Sequence, residues 1–147
     1  MARRATLVDR IRKENPNTLL LDAGDIFQGT PYFNYFGGEL EFKLMSMLKY
    51  DVATIGNHDF DNSIEGLYKQ LPNANFDFVS ANYDFKNTVL DTHVKPYKIL
   101  WKDGIKIGIC GLGSPLEELV DAKMYNETKY IDPLEIATDM SRHLDDT

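Results

Sequence analysis

The sequence predicts an α/β fold with a mixed, largely parallel sheet and helices flanking it. Three observations carry that reading. Short apolar runs alternate with amphipathic segments across residues 17–81, the strand–helix order of a parallel sheet with crossover helices. Two of those runs lead directly into loops rich in Gly, Asp and Asn, at 24–29 and 56–61. Further on, 97–102 (YKILWK) and 105–110 (IKIGIC) are joined by Asp103-Gly104 alone. An Asp-Gly pair between two apolar runs is the strongest short signal for an antiparallel hairpin, and it makes the sheet mixed.

Each element has its own local reason. Residues 2–14 place Ala5, Val8 and Ile11 at helical spacing, with Arg3, Arg4, Arg10, Arg12 and Lys13 for the wet face. Residues 17–23 (NTLLLDA) read as a buried strand. The stretch 24–38 (GDIFQGTPYFNYFGG) reads as a loop. In 39–49, Leu40, Leu44, Met47 and Leu48 recur as one helical face. VATI at 52–55 is a second strand. Residues 63–70 suit a short helix capped by Ser63, with Pro72 beyond its end. FDFVSA at 76–81 is a third strand. In the last stretch, 132–147, Asp132 can cap and Pro133 suits the first helical position, while Leu134, Ile136, Ala137, Met140 and Leu144 supply apolar positions.

Composition narrows the function classes. The chain has 147 residues, the size of one domain, with 43% hydrophobic and 27% charged residues, enough for a core. Its formal charge of −7 disfavours a nucleic acid polymer, since phosphate recognition wants a basic surface. The basic start reads as a solvated helix face. No apolar run approaches the ~20 residues of a membrane span, and residues 1–17 hold no apolar stretch of a secretory signal. The one cysteine, Cys110, excludes an internal disulfide and reads as an inert core residue. The first helix opens without a capping residue, and the last stops at Asp145 and Asp146, which oppose the helix dipole. Both ends therefore read as cut.

The chemistry concentrates in two loops. The first holds Gly24, Asp25, Gln28 and Gly29; the second holds Gly56, Asn57, His58, Asp59 and Asp61. Each follows a predicted parallel strand, so both belong at the carboxyl edge of the sheet, where open α/β sheets bind ligands. Carboxylate, amide oxygen and imidazole suit a hard or borderline divalent ion such as Mn²⁺, Mg²⁺, Zn²⁺ or Fe. A carboxylate can bridge two cations, and a two-metal centre can bind a phosphate and stabilise entering and leaving oxygens. A histidine beside it can protonate the leaving oxygen if a carboxylate orients the ring, and Asp61 stands three positions after His58. Gly-Asp and Asn-His pairs are also ordinary turn formers, and either loop alone reads that way. His93 and His143 have no supporting context and read as surface or partly packed residues. Tyr32-Phe33, Tyr35-Phe36 and Tyr83/Phe85 could line a base-binding cleft, with packing as their default role.

GDIFQG at 24–29 and GNHDFD at 56–61 together resemble two signature blocks of the calcineurin-like metallophosphoesterases. With LLLDAGD leading in and Gln28-Gly29 following, the sequence is similar to the 5′-nucleotidase and UDP-sugar hydrolase branch. The resemblance implies a part of a four-layer α/β/β/α sandwich. It implies that Asp25 bridges two metals, that Asn57 binds the second through its amide oxygen, that His58 contacts the scissile phosphate or leaving group, and that Asp61 positions His58. Gly24, Gly29 and Gly56 would keep the turns tight, with Gln28 as phosphate or loop support. An Asp-x-His block upstream and later histidine blocks, including Gly-His-x-His, have no counterpart here. Residues 1–147 are thus expected to be a partial catalytic domain, without the carboxyl-terminal substrate domain.

Two functions follow as expectations. The parent protein hydrolyses a phosphate ester, of a nucleotide by resemblance, with two divalent ions. The isolated chain is inactive and holds no ion or one weakly, because Asp25 and Asn57 offer a single full negative charge against two dications. The alternative is a non-catalytic α/β module that dimerises or packs with the rest of its chain through uncovered sheet edges. A periplasmic or exported location is implied by the resemblance alone.

Overall fold

The computed structural model describes residues 1–29 and 31–147. Its centre is a parallel sheet ordered β1-β2-β3, formed by Leu21–Asp22, Val52–Thr54 and Asp77–Val79. Leu21 pairs with Val52, and Val52 in turn with Asp77. Between the strands run α1 (Ala2–Glu14, ahead of β1), α2 (Pro31–Phe36), α3 (Glu39–Met47) and α4 (Ser63–Gln70). The strand–helix alternation read from the sequence is therefore present, as parallel pairing demands of its long connections.

The strands are shorter than their apolar runs. At the start of the first run the Asp51 side chain stands in for a ladder partner: Leu20 N–H donates to its carboxylate at 2.8 Å, while Asp51 N–H returns a bond to the Leu20 carbonyl at 2.9 Å. β1 is an edge strand and Leu21 is 48% exposed.

The stretch expected as one loop contains α2. Pro31 occupies a first helical position, where its missing N–H costs nothing, and Phe33 turns inward to stack on Phe27 at 5.2 Å. Gly37 and Gly38 then end it in left-handed backbone. At Gly38 a side chain would meet the Phe27 ring at 2.2 Å.

Phe27, Phe42, Ile55, Phe60, Ile64 and Leu67 are fully enclosed, each contributing about 2–3 kcal/mol by burial. Phe42 ties the helices to the sheet, stacking 4.9 Å from Phe27 and lying tilted 5.1 Å from Phe78. Tyr83 and Phe85 belong to this core, whereas Tyr32, Tyr35 and Phe36 stay exposed. Ser63 is the first residue of α4 rather than the residue before it, with Asn62 at the N-cap position; the Ser63 Oγ still accepts the Gly66 N–H at 3.3 Å.

The hairpin forms with the bounds expected. β5 (Tyr97–Lys102) and β6 (Ile105–Cys110) pair antiparallel, and Asp103 and Gly104 both carry positive φ, 50° and 76°. It makes a ladder of its own beside the parallel sheet. Ser80 N–H donates to the Lys95 carbonyl at 2.9 Å and Ala81 N–H to the Gly111 carbonyl at 2.8 Å. Cys110 ends β6 half-buried rather than sealed in the core, because it faces the junction of the two ladders. β4 (Tyr83–Asp84) and β7 (Lys129–Tyr130) form a third, short antiparallel pair, with α5 (Ala122–Tyr125) between β6 and β7. The last helix, α6 (Pro133–Asp145), starts under an Asp132 cap that accepts the N–H groups of Leu134 and Glu135, and packs Leu144 over Gly108. His143 on α6 meets the Tyr97 hydroxyl at 3.0 Å and His93 meets the Tyr68 ring edge-on; both histidines are exposed.

Candidate functional site

Both signature loops leave the same edge of the parallel sheet, the first after β1 and the second after β2. Their backbones touch. A Cβ on Gly24 would lie 2.6 Å from Gly56 N, and one on Gly56 would lie 2.2 Å from Asp25 Oδ1. Gly24 and Asp25 are both left-handed, with φ of 92° and 61°. That bend is supported by Gly24 N–H donating to Asp22 Oδ1 at 3.0 Å. It delivers the Asp25 carboxylate to the second loop, where Oδ1 accepts the His58 backbone N–H at 3.1 Å.

Residues 57–60 form a single tight helical turn. It separates its side chains by role. Asp59 and Phe60 point into the core, while Asn57 and His58 stay half-exposed. The His58 Nδ1 lies 3.1 Å from Asp61 Oδ2 and 3.4 Å from Oδ1. With Nδ1–H donating to that carboxylate, Nε2 is left to serve as the acceptor or, when protonated, the acid. The Asn57 Oδ1 accepts a hydrogen bond from Ser114 Oγ at 3.2 Å.

The three glycines differ. Gly56 is extended, so any residue could adopt its backbone, and what requires glycine is the close approach of Asp25. Gly29 is the reverse: φ is 79° and a Cβ would meet nothing within 4 Å. Gln28 is exposed and lines a cleft of about 750 Å³ with Arg4, Asp22, Gly24, Asp25 and Glu41. In that cleft burial pushes the Asp22 carboxyl above its ordinary value, while the Gly24 N–H and Arg4 pull it back.

One residue of the second loop had no role assigned from the sequence. Asp59 is fully buried, and its carboxylate accepts four backbone N–H groups: Gly56 at 2.8 Å, Asp25 at 3.0 Å, Ile26 at 2.8 Å and Phe27 at 3.2 Å. Burial raises its pKa to about 6, and the four donors act against that rise. Asp59 is the brace that locks one loop to the other. A signal for it existed, an acidic residue three positions after Gly56, the spacing of a capping box.

The chain matches the calcineurin-like phosphoesterase family over residues 1–139. It belongs to the calcineurin-like phosphoesterases. This phosphoesterase chain is 43% identical over 115 residues to a snake venom 5′-nucleotidase of Crotalus adamanteus, covering 76% of this chain and 20% of the relative. It is 36% identical over 138 residues to an NAD 5′-nucleotidase of Haemophilus influenzae, covering 93% and 23%. The solved structure of a 5′-nucleotidase precursor from Thermus thermophilus superposes with a TM-score of 0.85 at 34% identity, over 96% of this chain and 28% of that one. The chain thus spans about a fifth of the length of these curated relatives, and its mixed α/β architecture, parallel sheet and flanking helices match the metallophosphatase neighbours.

Calcineurin-like phosphoesterases are metal-dependent hydrolases, and the donor chemistry at this sheet edge fits a hard divalent ion. The Asp25 carboxylate and the Asn57 amide supply oxygen donors held by loops that brace each other. Among the described residues no group of three or more His, Cys, Asp or Glu side chains converges as a full ligand set.

Proposed function

We propose that the protein carrying this chain hydrolyses a phosphate ester of a nucleotide with the help of two divalent ions, and that residues 1–147 are one part of its catalytic domain. The observation that carries the reading is the contact between the two signature loops, through which Asp25, Asn57 and the His58–Asp61 pair share one sheet edge. The 5′-nucleotidase relatives support nucleotides as the substrate class. They leave the choice among monophosphates, cyclic nucleotides, UDP-sugars and dinucleotides to residues beyond these.

In this reading Asp25 and Asn57 would hold the ions, Asp25 through its carboxylate as the ligand shared between them and Asn57 through its amide oxygen. When bound, the ions supply Lewis-acid charge to the phosphate and lower the pKa of an attacking water. The chain's own residues do the rest. Asp61 keeps the His58 ring oriented through Nδ1, and Nε2 then delivers a proton to the departing oxygen. Asp59 keeps the Asp25 backbone in its left-handed bend, so that the carboxylate faces the second loop. The remaining ligands come from other parts of the parent protein. The edge of β1, with Leu21 exposed, supports a further segment or a second copy of the chain pairing there. An exported location accords with the venom relative.

The test is hydrolysis of nucleoside monophosphates by the complete protein in Mn²⁺, before and after chelation. Turnover that survives chelation, or that persists in Asp25→Ala, would remove the metal reading.

A further inference from the structure

The second half of the chain reaches the metal loops at Ser114. This residue follows β6 and the irregular segment 111–113, and its hydroxyl lies 3.2 Å from Asn57 Oδ1, 57 positions away in sequence. Its backbone is held independently of that hydroxyl. The fully buried Asn82 accepts the Gly113 N–H at 2.7 Å and donates back to the Gly113 carbonyl at 2.9 Å. The Tyr83 hydroxyl donates to the Ser114 carbonyl at 2.6 Å. Gly113 leaves no slack, since a Cβ there would sit 2.4 Å from the Tyr83 ring. The side chains of Asn82 and Tyr83 thus fix where the Ser114 hydroxyl stands.

Resting on the reading of Asn57 as a metal ligand, we propose that Ser114 is a positioning residue that sets the orientation of the Asn57 amide. An asparagine has one end that can bind a cation and one that repels it, and the two ends have nearly the same shape. The Ser114 hydroxyl, donating to Oδ1, favours the oxygen end facing it and uses one of that oxygen's two lone pairs. The other stays free for a cation. Asp25 needs no such device, because both carboxylate oxygens are acceptors. A partner that orients a metal ligand typically governs affinity by 10–100-fold when removed.

The experiment uses the complete protein that carries this segment, stripped of metal and titrated with Mn²⁺ by calorimetry, with Mn²⁺ paramagnetic resonance as a second readout. Ser114→Ala is expected to weaken one Mn²⁺ site by about 10-fold or more. Its thermal midpoint should stay near wild type, because Asn82 and Tyr83 still hold the backbone. Ser114→Thr, which keeps the hydroxyl, is expected to recover most of the affinity. Wild-type Mn²⁺ affinity in Ser114→Ala overturns the proposal, as does a loss of affinity matched by a comparable loss of thermal stability. Asn57→Ala separates the two layers. If it too leaves Mn²⁺ binding unchanged, the metal reading fails and the role of Ser114 with it. If Asn57→Ala weakens binding while Ser114→Ala does not, only the positioning role falls.

Discussion

The carboxylate of Asp59 accepts the backbone N–H of Asp25 at 3.0 Å, across 34 positions of sequence. Through this bond and three others like it, a residue with no exposed atom controls the shape of an exposed loop. Asp59→Ala leaves four backbone N–H groups, two buried and two partly buried, without their acceptor. At about 1–3 kcal/mol for each stranded group, partly relieved by relaxation, the loss should be at least about 3 kcal/mol. Asp59→Asn keeps one acceptor oxygen and should lose less. Chemical denaturation of the two variants checks the order, and equal stabilities would show that the four bonds contribute little.

His58 and Asp61 should separate chemistry from metal binding. In the complete protein His58→Ala is expected to lower kcat by about 10²–10⁴-fold, the range for losing a general acid, with metal content nearly unchanged. Asp61→Asn should cost less, because the amide oxygen can still accept from Nδ1 and keep the ring in place. Loss of bound metal in His58→Ala would make His58 a ligand instead of a proton donor.

The glycines make a paired prediction. Gly56→Ala forces a Cβ to within 2.2 Å of Asp25 Oδ1 and 2.7 Å of its backbone N, so the loops must part. Gly29→Ala meets no neighbour and strains only its own left-handed backbone, a cost of about 1 kcal/mol. Gly56→Ala should therefore be the more destabilising and the one that weakens Mn²⁺ binding. Similar thermal midpoints in the two variants would show the loop contact to be slack.

Tyr83 gives the chain a stability loss in alkali. Burial pushes its phenol up to about 12 from the ordinary 10.0. Between those values the native state keeps a proton that the unfolded chain releases, so the contribution is complete below pH 10 and is lost as pH rises from 10 to 12. Absorbance titration of the phenolates should show one late step that is missing in Tyr83→Phe. That variant should also show a flatter fall in stability over the same interval.

Residues 1–147 alone are expected to hydrolyse no phosphate ester at a steady rate. If two ions bind as proposed, Asp25 and Asn57 would offer them one carboxylate and one neutral amide, too little charge against their mutual repulsion. Metal analysis after dialysis, with an aryl phosphate in excess Mn²⁺, provides the check. Two retained ions and turnover abolished by Asp25→Ala would mean that these residues complete the centre by themselves. Sedimentation of the same sample tests whether the open edge of β1 pairs with a second copy.

Local chemistry determined much of this protein before any folding was considered. Periodicity predicted helices in 2–14 and 132–147, which form as Ala2–Glu14 and Pro133–Asp145, and Asp103-Gly104 placed the hairpin to the residue, because backbone preference and face-by-face burial are properties of neighbours in sequence. The same locality located both candidate loops, since each follows its strand directly. Tertiary structure decided what local patterns cannot carry. The strands shortened because pairing, not apolarity, defines a ladder, and α2 formed because Phe33 found Phe27. The roles of Asp59 and Ser114 rest on bonds spanning 34 and 57 positions, and a buried carboxylate or a hydroxyl in a loop looks ordinary until the fold brings its partners within 3.2 Å. Hydrogen bonds act over a few ångströms of space, so only the folded chain determines which polar groups meet.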